Sequence, residues 1–332
     1  MECNRLALRL NCYLDINLEE DRTVREVVWT LENKVCRQAY NKGQWQAQLK
    51  KNGEVSFFTF PMFREIDFIR HGFSTREGGV SQGELSTMNL SYSRGDIPER
   101  VDENYKRICT ALGMDTRNLV LSDQVHDTIV YQASKKDCQG QRLQEKKLEG
   151  IDGLITDEKE VVLCTSYADC VPLFFVDERH KAIGSSHSGW RGTAGKIGAK
   201  TVKAMQQAYG TMPEEVKVVI GPSICQSCYE VSEDVYQEMR EFVSPKEIAK
   251  LQQMPIELVE SMVDSVFLSK PQNKYQLDLW MANKLILMEA GVLEKNISVS
   301  CVCTCCNSKL LFSHRATGGK RGNLNGFLEI KK

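Results

Sequence analysis

The residues from Asp152 to Thr193 constrain the fold of this chain more than any other stretch. Two apolar runs rich in strand-forming residues, Val161–Thr165 and Val171–Val176, lie on either side of a tripeptide that ends in Cys170. A short apolar run then leads into a small, polar and glycine-rich segment that contains His187. Functional groups of α/β proteins commonly lie on such loops, because the rigid strands position an open backbone. The pattern predicts adjacent strands whose ends bring the cysteine and the histidine together.

A second histidine, His126, follows a short predicted strand upstream. We expect His126, Cys170 and His187 to converge on one metal ion. Three ligands of this type with a vacant fourth position are typical of catalytic zinc, whereas structural zinc usually has four ligands. The same set could bind copper with a weak axial methionine. Because the chain has five histidines, too few for a multi-copper cluster, zinc is favoured over copper.

A cysteine hydrolase is the main rival to the metal hypothesis. Cys170 would be the nucleophile and His187 its base, with Asp169 orienting the imidazole. Such a cysteine needs a lowered pKa, which a neighbouring histidine can supply. The second histidine, His126, has no role in that scheme and favours the metal.

A further group of cysteines lies towards the C-terminus. Cys225-x-x-Cys228 has the spacing of a zinc site. The run formed by Cys303, Cys305 and Cys306 reads as C-x-C-C, which does not match a zinc ribbon. A structural zinc site formed by both groups is the alternative, and we interpret these residues as buried or incidental thiols.

Charge and hydropathy exclude several classes of partner. The chain has 43 basic and 44 acidic side chains and no basic stripe, so neither nucleic acid nor an anionic membrane is an expected partner. No apolar run approaches the roughly 20 residues that span a bilayer, and the N-terminus does not resemble a signal peptide. The 13 cysteines are an odd number and unevenly spaced, which indicates reduced thiols and a cytoplasmic protein.

The chain divides at about residue 52. Residues 1–51 are polar and contain a predicted helix from Thr23 to about Tyr40; we treat them as an N-terminal extension of unknown role. In residues 52–332 predicted strands and helices mix without regular βαβ alternation. This favours an α/β sandwich with mixed sheets over a doubly wound parallel sheet.

Seven motifs resemble those of the YfiH family, formerly described as multicopper polyphenol oxidases or laccase-domain proteins. They occur in colinear order over about residues 52–332. The motifs are GFSTREGGVS (72–81), QVH (124–126), DGLIT (152–156), ADCVP (168–172), HSGWRGT (187–193), GPSICQSCYEV (221–231) and CT…FSHR (303–315).

The resemblance implies a zinc-dependent purine nucleoside phosphorylase. The expected substrates are adenosine, inosine, guanosine and S-methyl-5′-thioadenosine with inorganic phosphate, and adenosine deaminase activity is also expected. The family's metal ligands map onto His126, Cys170 and His187. We expect Cys170, His187 and Asp169 to be catalytic, with Asp169 and Glu230 as candidate proton shuttles in deamination. The oligomeric state is left open.

The resemblance also implies a fold and an alternative activity. The fold is a layered α/β/β/α sandwich similar to the catalytic domain of cytotoxic necrotizing factor toxins. Some bacterial members are called peptidoglycan editing factors, so a cysteine-type amidase that uses Cys170 and His187 is an alternative. A copper-dependent polyphenol oxidase is a further one.

The phosphate needs cationic side chains or glycine-loop amides. Arg76 stands next to the pair Gly78-Gly79, and this loop is our first choice as the phosphate site. Arg191 and Arg315 are the other candidates.

Overall fold

The computed structural model describes residues 24–26, 47–140, 143–144 and 148–332. The helix predicted from Thr23 is wrong at its beginning, because Val24–Glu26 form a strand; most of it lies outside the described residues. The predicted boundary between residues 51 and 52 falls inside another strand, Gln48–Asn52. The division of the chain into an N-terminal extension, residues 1–51, and a domain, residues 52–332, stays a prediction.

The described residues form strands and helices that are numbered here in chain order. The strands are β1 (Val24–Glu26), β2 (Gln48–Asn52), β3 (Val55–Thr59), β4 (Ile69–Ser74), β5 (Leu119–Asp123), β6 (Val130–Gln132), β7 (Leu148–Glu149), β8 (Gly153–Thr156), β9 (Val162–Tyr167), β10 (Val171–Asp177), β11 (Ala182–Ser188), β12 (Lys217–Ile220), β13 (Glu230–Ser232), β14 (Phe267–Lys270), β15 (Lys274–Leu277), β16 (Ile297–Val299) and β17 (Leu324–Ile330). The α-helices are α1 (Pro61–Arg64), α2 (Pro98–Leu112), α3 (Trp190–Ala194), α4 (Ile197–Tyr209), α5 (Glu233–Met239), α6 (Pro245–Gln252), α7 (Ile256–Asp264), α8 (Leu279–Glu289) and α9 (His314–Thr317).

Two large mixed sheets contain most of the strands. The first has eight strands in the order β1-β2-β3-β4-β17-β9-β5-β7, in which β5 runs parallel to β9 and β17 runs antiparallel to both β4 and β9. The second has six strands in the order β16-β12-β10-β11-β8-β6, with β10 antiparallel to both of its neighbours. A small antiparallel sheet follows the order β13-β15-β14. The mixed α/β fold predicted from the sequence is confirmed.

Strand β10 shows how the layers pack. All seven of its residues are buried, which is typical of a strand covered on both faces. Leu173 and Phe175 point into a core with helices α4 and α8, whereas Phe174 and Val176 point into the core between the two sheets. On the outer face of the eight-stranded sheet, α2 packs against β9 and β17. The layers therefore follow the order helix, sheet, sheet, helix.

Helix α8 is buried on nearly all sides because other parts of the protein surround it. Its N-terminus is capped by the Asp278 carboxylate, which accepts a hydrogen bond from the Met281 amide. All of its residues from Leu279 to Met288 other than Met281 are buried, as expected for a central helix. Among the described residues, no helix has the length and hydropathy of a membrane span.

The similarity of the fold to the catalytic domain of cytotoxic necrotizing factor toxins stays a prediction.

Candidate metal centre and active site

The strand pairing explains why Cys170 and His187 lie together. Strands β10 and β11 pair antiparallel, and Pro172 lies opposite His187 in the register. Because Cys170 stands two residues before Pro172, both side chains are at the same end of the six-stranded sheet. His126 comes from the other sheet, three residues after the end of β5. The site thus lies where one end of each sheet meets the other.

The three side chains form a compact group. One ligand atom from each of His126, Cys170 and His187 lies within 4.8 Å of the other two. The Sγ atom of Cys170 is 3.9 Å from Nε2 of His126, and the two imidazole rings are 4.8 Å apart between centroids. His187 is buried, Cys170 half-buried and His126 exposed. The group is therefore open to solvent on the His126 side.

Gly189 allows the chain to pass close to this group. A Cβ atom at this position would lie 3.0 Å from Cδ2 of His126 and 3.1 Å from Sγ of Cys170. Both distances are shorter than ordinary van der Waals contact, so a larger residue would require His126 and Cys170 to shift by a few tenths of an ångström. The His-Ser-Gly-Trp-Arg-Gly motif thus supplies His187 and the small residue that lets the other two candidate ligands approach it.

A buried aspartate, Asp152, connects His187 to the segment that carries His126. Its Oδ1 atom lies 2.8 Å from Nδ1 of His187. The same carboxylate accepts hydrogen bonds from the backbone amides of Val125, His126 and Asp127. Because Nδ1 faces a carboxylate, it carries the proton and Nε2 of His187 is left to face Cys170. Sequence reasoning missed this residue, although it opens the DGLIT motif.

The electrostatics of the group favour a thiolate. Burial raises the pKa of the Cys170 thiol, but the charges and hydrogen bonds of His187 and His126 lower it to about 6. Burial lowers the pKa of His187, but Cys170 and Asp152 together raise it to about 9. A thiolate between two imidazoles, with a carboxylate behind one of them, is a donor set that zinc accepts. The residues present therefore fit the implied metal.

Asp169 does not orient His187, and the sequence-based expectation on this point is wrong. Its Oδ1 atom accepts a hydrogen bond of 2.6 Å from the Thr304 hydroxyl, and Oδ2 accepts one of 2.7 Å from the Arg315 amide. Its backbone carbonyl accepts from the Ile224 amide. Asp169 is buried and has a φ of 85°. Its three hydrogen bonds therefore connect the segments of Ile224, Thr304 and Arg315 to the residue immediately before Cys170.

Arg315 and Arg191, the other candidates for the phosphate site, both interact electrostatically with Tyr229. The Arg315 guanidinium is 5.2 Å from the centre of the Tyr229 ring and donates to the carbonyls of Cys228 and Glu230. Arg191 is exposed and stacks on its neighbour Trp190. Burial raises the pKa of Tyr229, and the charges of both arginines oppose that shift.

The Glu230 carboxylate, a predicted proton shuttle, belongs to a side chain that is 40% exposed, and it pairs with Lys270. That salt bridge gives the carboxylate a partner on the surface. Its role in proton transfer stays a prediction.

The loop of Arg76 uses its donors inside the protein. The Arg76 guanidinium donates to the carbonyls of Ser86 and Ser308 and lies over the Phe312 ring. The Gly79 amide donates to the Thr87 hydroxyl. Cβ atoms at residues 78 and 79 would lie 2.5 and 2.2 Å from backbone oxygen atoms, so these glycines permit close packing. The phosphate role of Arg76, Gly78 and Gly79 stays a prediction. It requires phosphate to replace the hydrogen bonds that Arg76 and Gly79 make inside the protein.

The sequence assigned no role to a second group of basic residues. Arg94, Lys320 and Arg321 line a surface cavity of about 430 Å³. Arg321 is only 8% exposed, and its Nε atom has no hydrogen-bond partner. Burial and the charge of Arg94 lower the pKa of Arg321 to about 10, while Asp169 and Cys170 oppose that shift. Arg321, which lines the cavity, therefore interacts electrostatically with Asp169 and Cys170.

Comparison with known proteins gives consistent matches. The model of the family described as "Multi-copper polyphenol oxidoreductase laccase" matches residues 70–331. The chain is 36% identical over 262 residues to "Purine nucleoside phosphorylase YlmD" of Bacillus subtilis, which covers 79% of this chain and 88% of that protein. It is 32% identical over 266 residues to "Purine nucleoside phosphorylase" of Bacteroides thetaiotaomicron, covering 80% and 92%.

The structure is similar to a crystal structure as well. It matches YlmD from Geobacillus stearothermophilus with a TM-score of 0.76 and 30% sequence identity, covering 87% of this chain and 100% of that one. His126, Asp152, Cys170, His187 and Arg321 all fall inside the segment that the family model matches.

Proposed function

This chain belongs to the YfiH or laccase-domain family, whose model is described as multi-copper polyphenol oxidoreductase laccase, and we propose that it is a zinc-dependent purine nucleoside phosphorylase. The observation that carries the proposal is the compact group of two histidines and one cysteine, whose cysteine interacts electrostatically with the buried guanidinium of Arg321. Two relatives at 36% and 32% identity are named purine nucleoside phosphorylases, which supports the same activity.

The proposed substrates are adenosine, inosine, guanosine and S-methyl-5′-thioadenosine, each with inorganic phosphate. We also propose adenosine deamination at the same centre and a cytoplasmic location. Zinc is preferred to copper because the ligand group contains two of the five histidines, and a multi-copper cluster needs more.

Phosphorolysis breaks the bond between the sugar C1′ and the purine nitrogen and forms a C1′–O bond to phosphate. Positive charge at the sugar must be balanced by a nearby anion. Arg321 and Arg94 are suited to bind that anion, because guanidinium groups make paired, charge-assisted hydrogen bonds to phosphate. The Nε atom of Arg321 is buried and has no hydrogen-bond partner among the described residues.

The residues of the metal group have separate roles. His126, Cys170 and His187 would bind the zinc, and Asp152 would hold His187 with Nε2 directed at it. When bound, zinc supplies Lewis-acid chemistry next to the substrate. Asp169 would act by holding the loops that precede Cys170.

One observation favours a different enzyme class. Cys170, His187 and Asp152 lie in the order thiol, imidazole, carboxylate, and the thiol has a lowered pKa. This is also the arrangement of a cysteine-type amidase, the activity linked to peptidoglycan editing. His126 distinguishes the two, because an amidase of this kind does not need it.

The test uses the full chain purified with zinc and assayed on inosine with and without phosphate. Release of hypoxanthine and ribose 1-phosphate that depends on phosphate supports the proposal. Base release that is independent of phosphate indicates a hydrolase. Turnover that survives removal of the metal but not alkylation with iodoacetamide indicates the cysteine mechanism. Bound zinc with no turnover on any of the four nucleosides indicates a binding protein.

A further inference from the structure

Two Cys-x-x-Cys pairs meet at a second place in the protein. Cys225 and Cys228 follow β12, and Cys303 and Cys306 follow β16. The four sulfur atoms all lie within 4.8 Å of one another. Cys303 and Cys306 have the Cys-x-x-Cys spacing of a zinc site, which the intervening Cys305 hides in the C-x-C-C run. Cys305 is not part of the group of four.

The sheet brings the two pairs together. Strands β12 and β16 are parallel neighbours, so both end at the same edge of the six-stranded sheet. Beyond that edge Ser223 and Cys303 form an isolated parallel bridge, with hydrogen bonds from the Ser223 amide to the Val302 carbonyl and from the Thr304 amide to the Ser223 carbonyl. The backbone therefore fixes the relative position of the pairs without a ligand.

The local backbone is also suited to a thiolate. The amides of Cys225 and Cys306 each lie 3.3 Å from Sγ of Cys303. An N–H group that donates to sulfur stabilises negative charge on it, as it does for oxygen anions. Cys225 and Cys303 are buried, and Cys228 and Cys306 are half-buried with their sulfur atoms 3.5 Å apart. All four are reduced.

We propose that Cys225, Cys228, Cys303 and Cys306 bind a structural zinc ion. Four thiolates around one ion are a common closed zinc site, and paired Cys-x-x-Cys spacings are its usual source. A Zn–S distance of about 2.3 Å in a tetrahedron requires sulfur atoms about 3.8 Å apart. The observed distances lie around this value, with 3.5 Å between the sulfur atoms of Cys228 and Cys306 and no more than 4.8 Å within the group. The absence of histidine and of an open ligand position distinguishes this site from the centre at Cys170.

The ion would join the two segments that support the active site. The Ile224 amide and the Thr304 hydroxyl both donate to Asp169, the residue before Cys170. The Arg315 guanidinium donates to the carbonyl of Cys228. The four cysteines therefore cross-link residues 221–229 with residues 303–315 directly behind Asp169. This role is independent of the reaction that the enzyme catalyses.

The first experiment counts the metal in the full chain, purified under reducing, anaerobic conditions and dialysed. We expect two zinc ions per chain in the wild type, and one in both Cys170→Ala and Cys306→Ser. Cys301→Ser is the matched control on the same segment and should retain two. A zinc content of Cys306→Ser equal to that of the wild type would overturn the proposal, whatever the occupancy of the Cys170 centre.

The second experiment does not require a cysteine of the proposed site to be removed. Cys170→Ala leaves this site as the candidate for the remaining ion, whose neighbours are then measured by X-ray absorption at the zinc edge. We expect sulfur neighbours alone, four at about 2.3 Å. Nitrogen or oxygen neighbours, or a metal-free protein with a disulfide between the pairs, would contradict the assignment. A loss of nucleoside phosphorolysis with both ions still bound would concern the proposed function and leave this site intact.

Discussion

The Oδ1 atom of Asp152 lies 2.8 Å from Nδ1 of His187, and both residues are buried. The aspartate also accepts from three consecutive amides, including that of His126. One carboxylate therefore positions two of the three proposed ligands. A carboxylate behind a ligating histidine fixes the orientation of the ring and increases its basicity.

We expect Asp152→Asn to weaken zinc binding at the Cys170 centre by about 10- to 100-fold, because the amide cannot accept all of these bonds and no longer balances His187. The measurement is a competition titration against a chelator of known affinity. Asp177→Asn is the matched control, since Asp177 is a buried carboxylate whose Oδ2 atom lies 2.8 Å from Nδ1 of His180. Equal loss of zinc affinity in both variants would indicate a general effect on folding.

The meeting of Cys170 and His187 was predictable because it depends on one local hairpin. Strands β10 and β11 are consecutive and pair antiparallel, which places Pro172 opposite His187. The mixed sheets were predictable because the order of predicted strands and helices shows no regular βαβ alternation. Both predictions depend on the order of elements that are neighbours in the sequence.

The partners of Asp152 and Asp169 were not predictable in this way. Asp152 contacts two segments that come from different sheets, and Asp169 contacts Thr304 and Arg315 far away in sequence. Short polar residues beside turns have many local partners, so the sequence does not select one. The basic turn around Arg321 has the same difficulty, because its distance from Cys170 depends on the pairing of β17 with β9.

We expect His126→Ala, Cys170→Ala and His187→Ala each to lose the zinc of this centre and phosphate-dependent base release. Removal of one of three ligands leaves too few donors for tight binding. Metal content and base release are measured on the same preparations. His180→Ala is the control, because His180 bonds to Asp177 and takes no part in the ligand group. Full turnover by Cys170→Ala would contradict the metal assignment.

We expect Arg321→Gln to raise the KM for phosphate by about 10- to 100-fold, with a smaller effect on the KM for inosine. The expectation follows from the loss of a charge-assisted hydrogen bond, worth about 1.5–3 kcal/mol. Arg76→Gln provides the comparison: its guanidinium donates to two backbone carbonyls, so we expect lower thermal stability and little change in KM. A larger increase in the KM for phosphate in Arg76→Gln than in Arg321→Gln would instead place the phosphate site at the loop of Arg76.

His71 gives a prediction about stability that does not depend on the active site. Its Nε2 atom accepts a hydrogen bond of 2.9 Å from the Phe60 amide, and its ring packs against the rings of Phe60 and Phe63. Burial, followed by the charge of Lys331, lowers the pKa of His71 to about 4. The folded protein therefore prefers the neutral ring, whereas the unfolded chain binds a proton at the ordinary pKa of about 6.5.

Between pH 6.5 and pH 4 the unfolded state consequently binds more protons at His71 than the folded state. The contribution is fully present above pH 6.5, and on the order of 3 kcal/mol of unfolding free energy is lost as the pH falls through this window. We expect His71→Gln to reduce this slope, because the Gln oxygen can accept from the Phe60 amide and does not titrate. Urea unfolding at pH 7.5 and pH 5 measures the difference for both proteins. Since the other groups that titrate in this range are unchanged, an identical loss in the variant would mean that His71 is not the source.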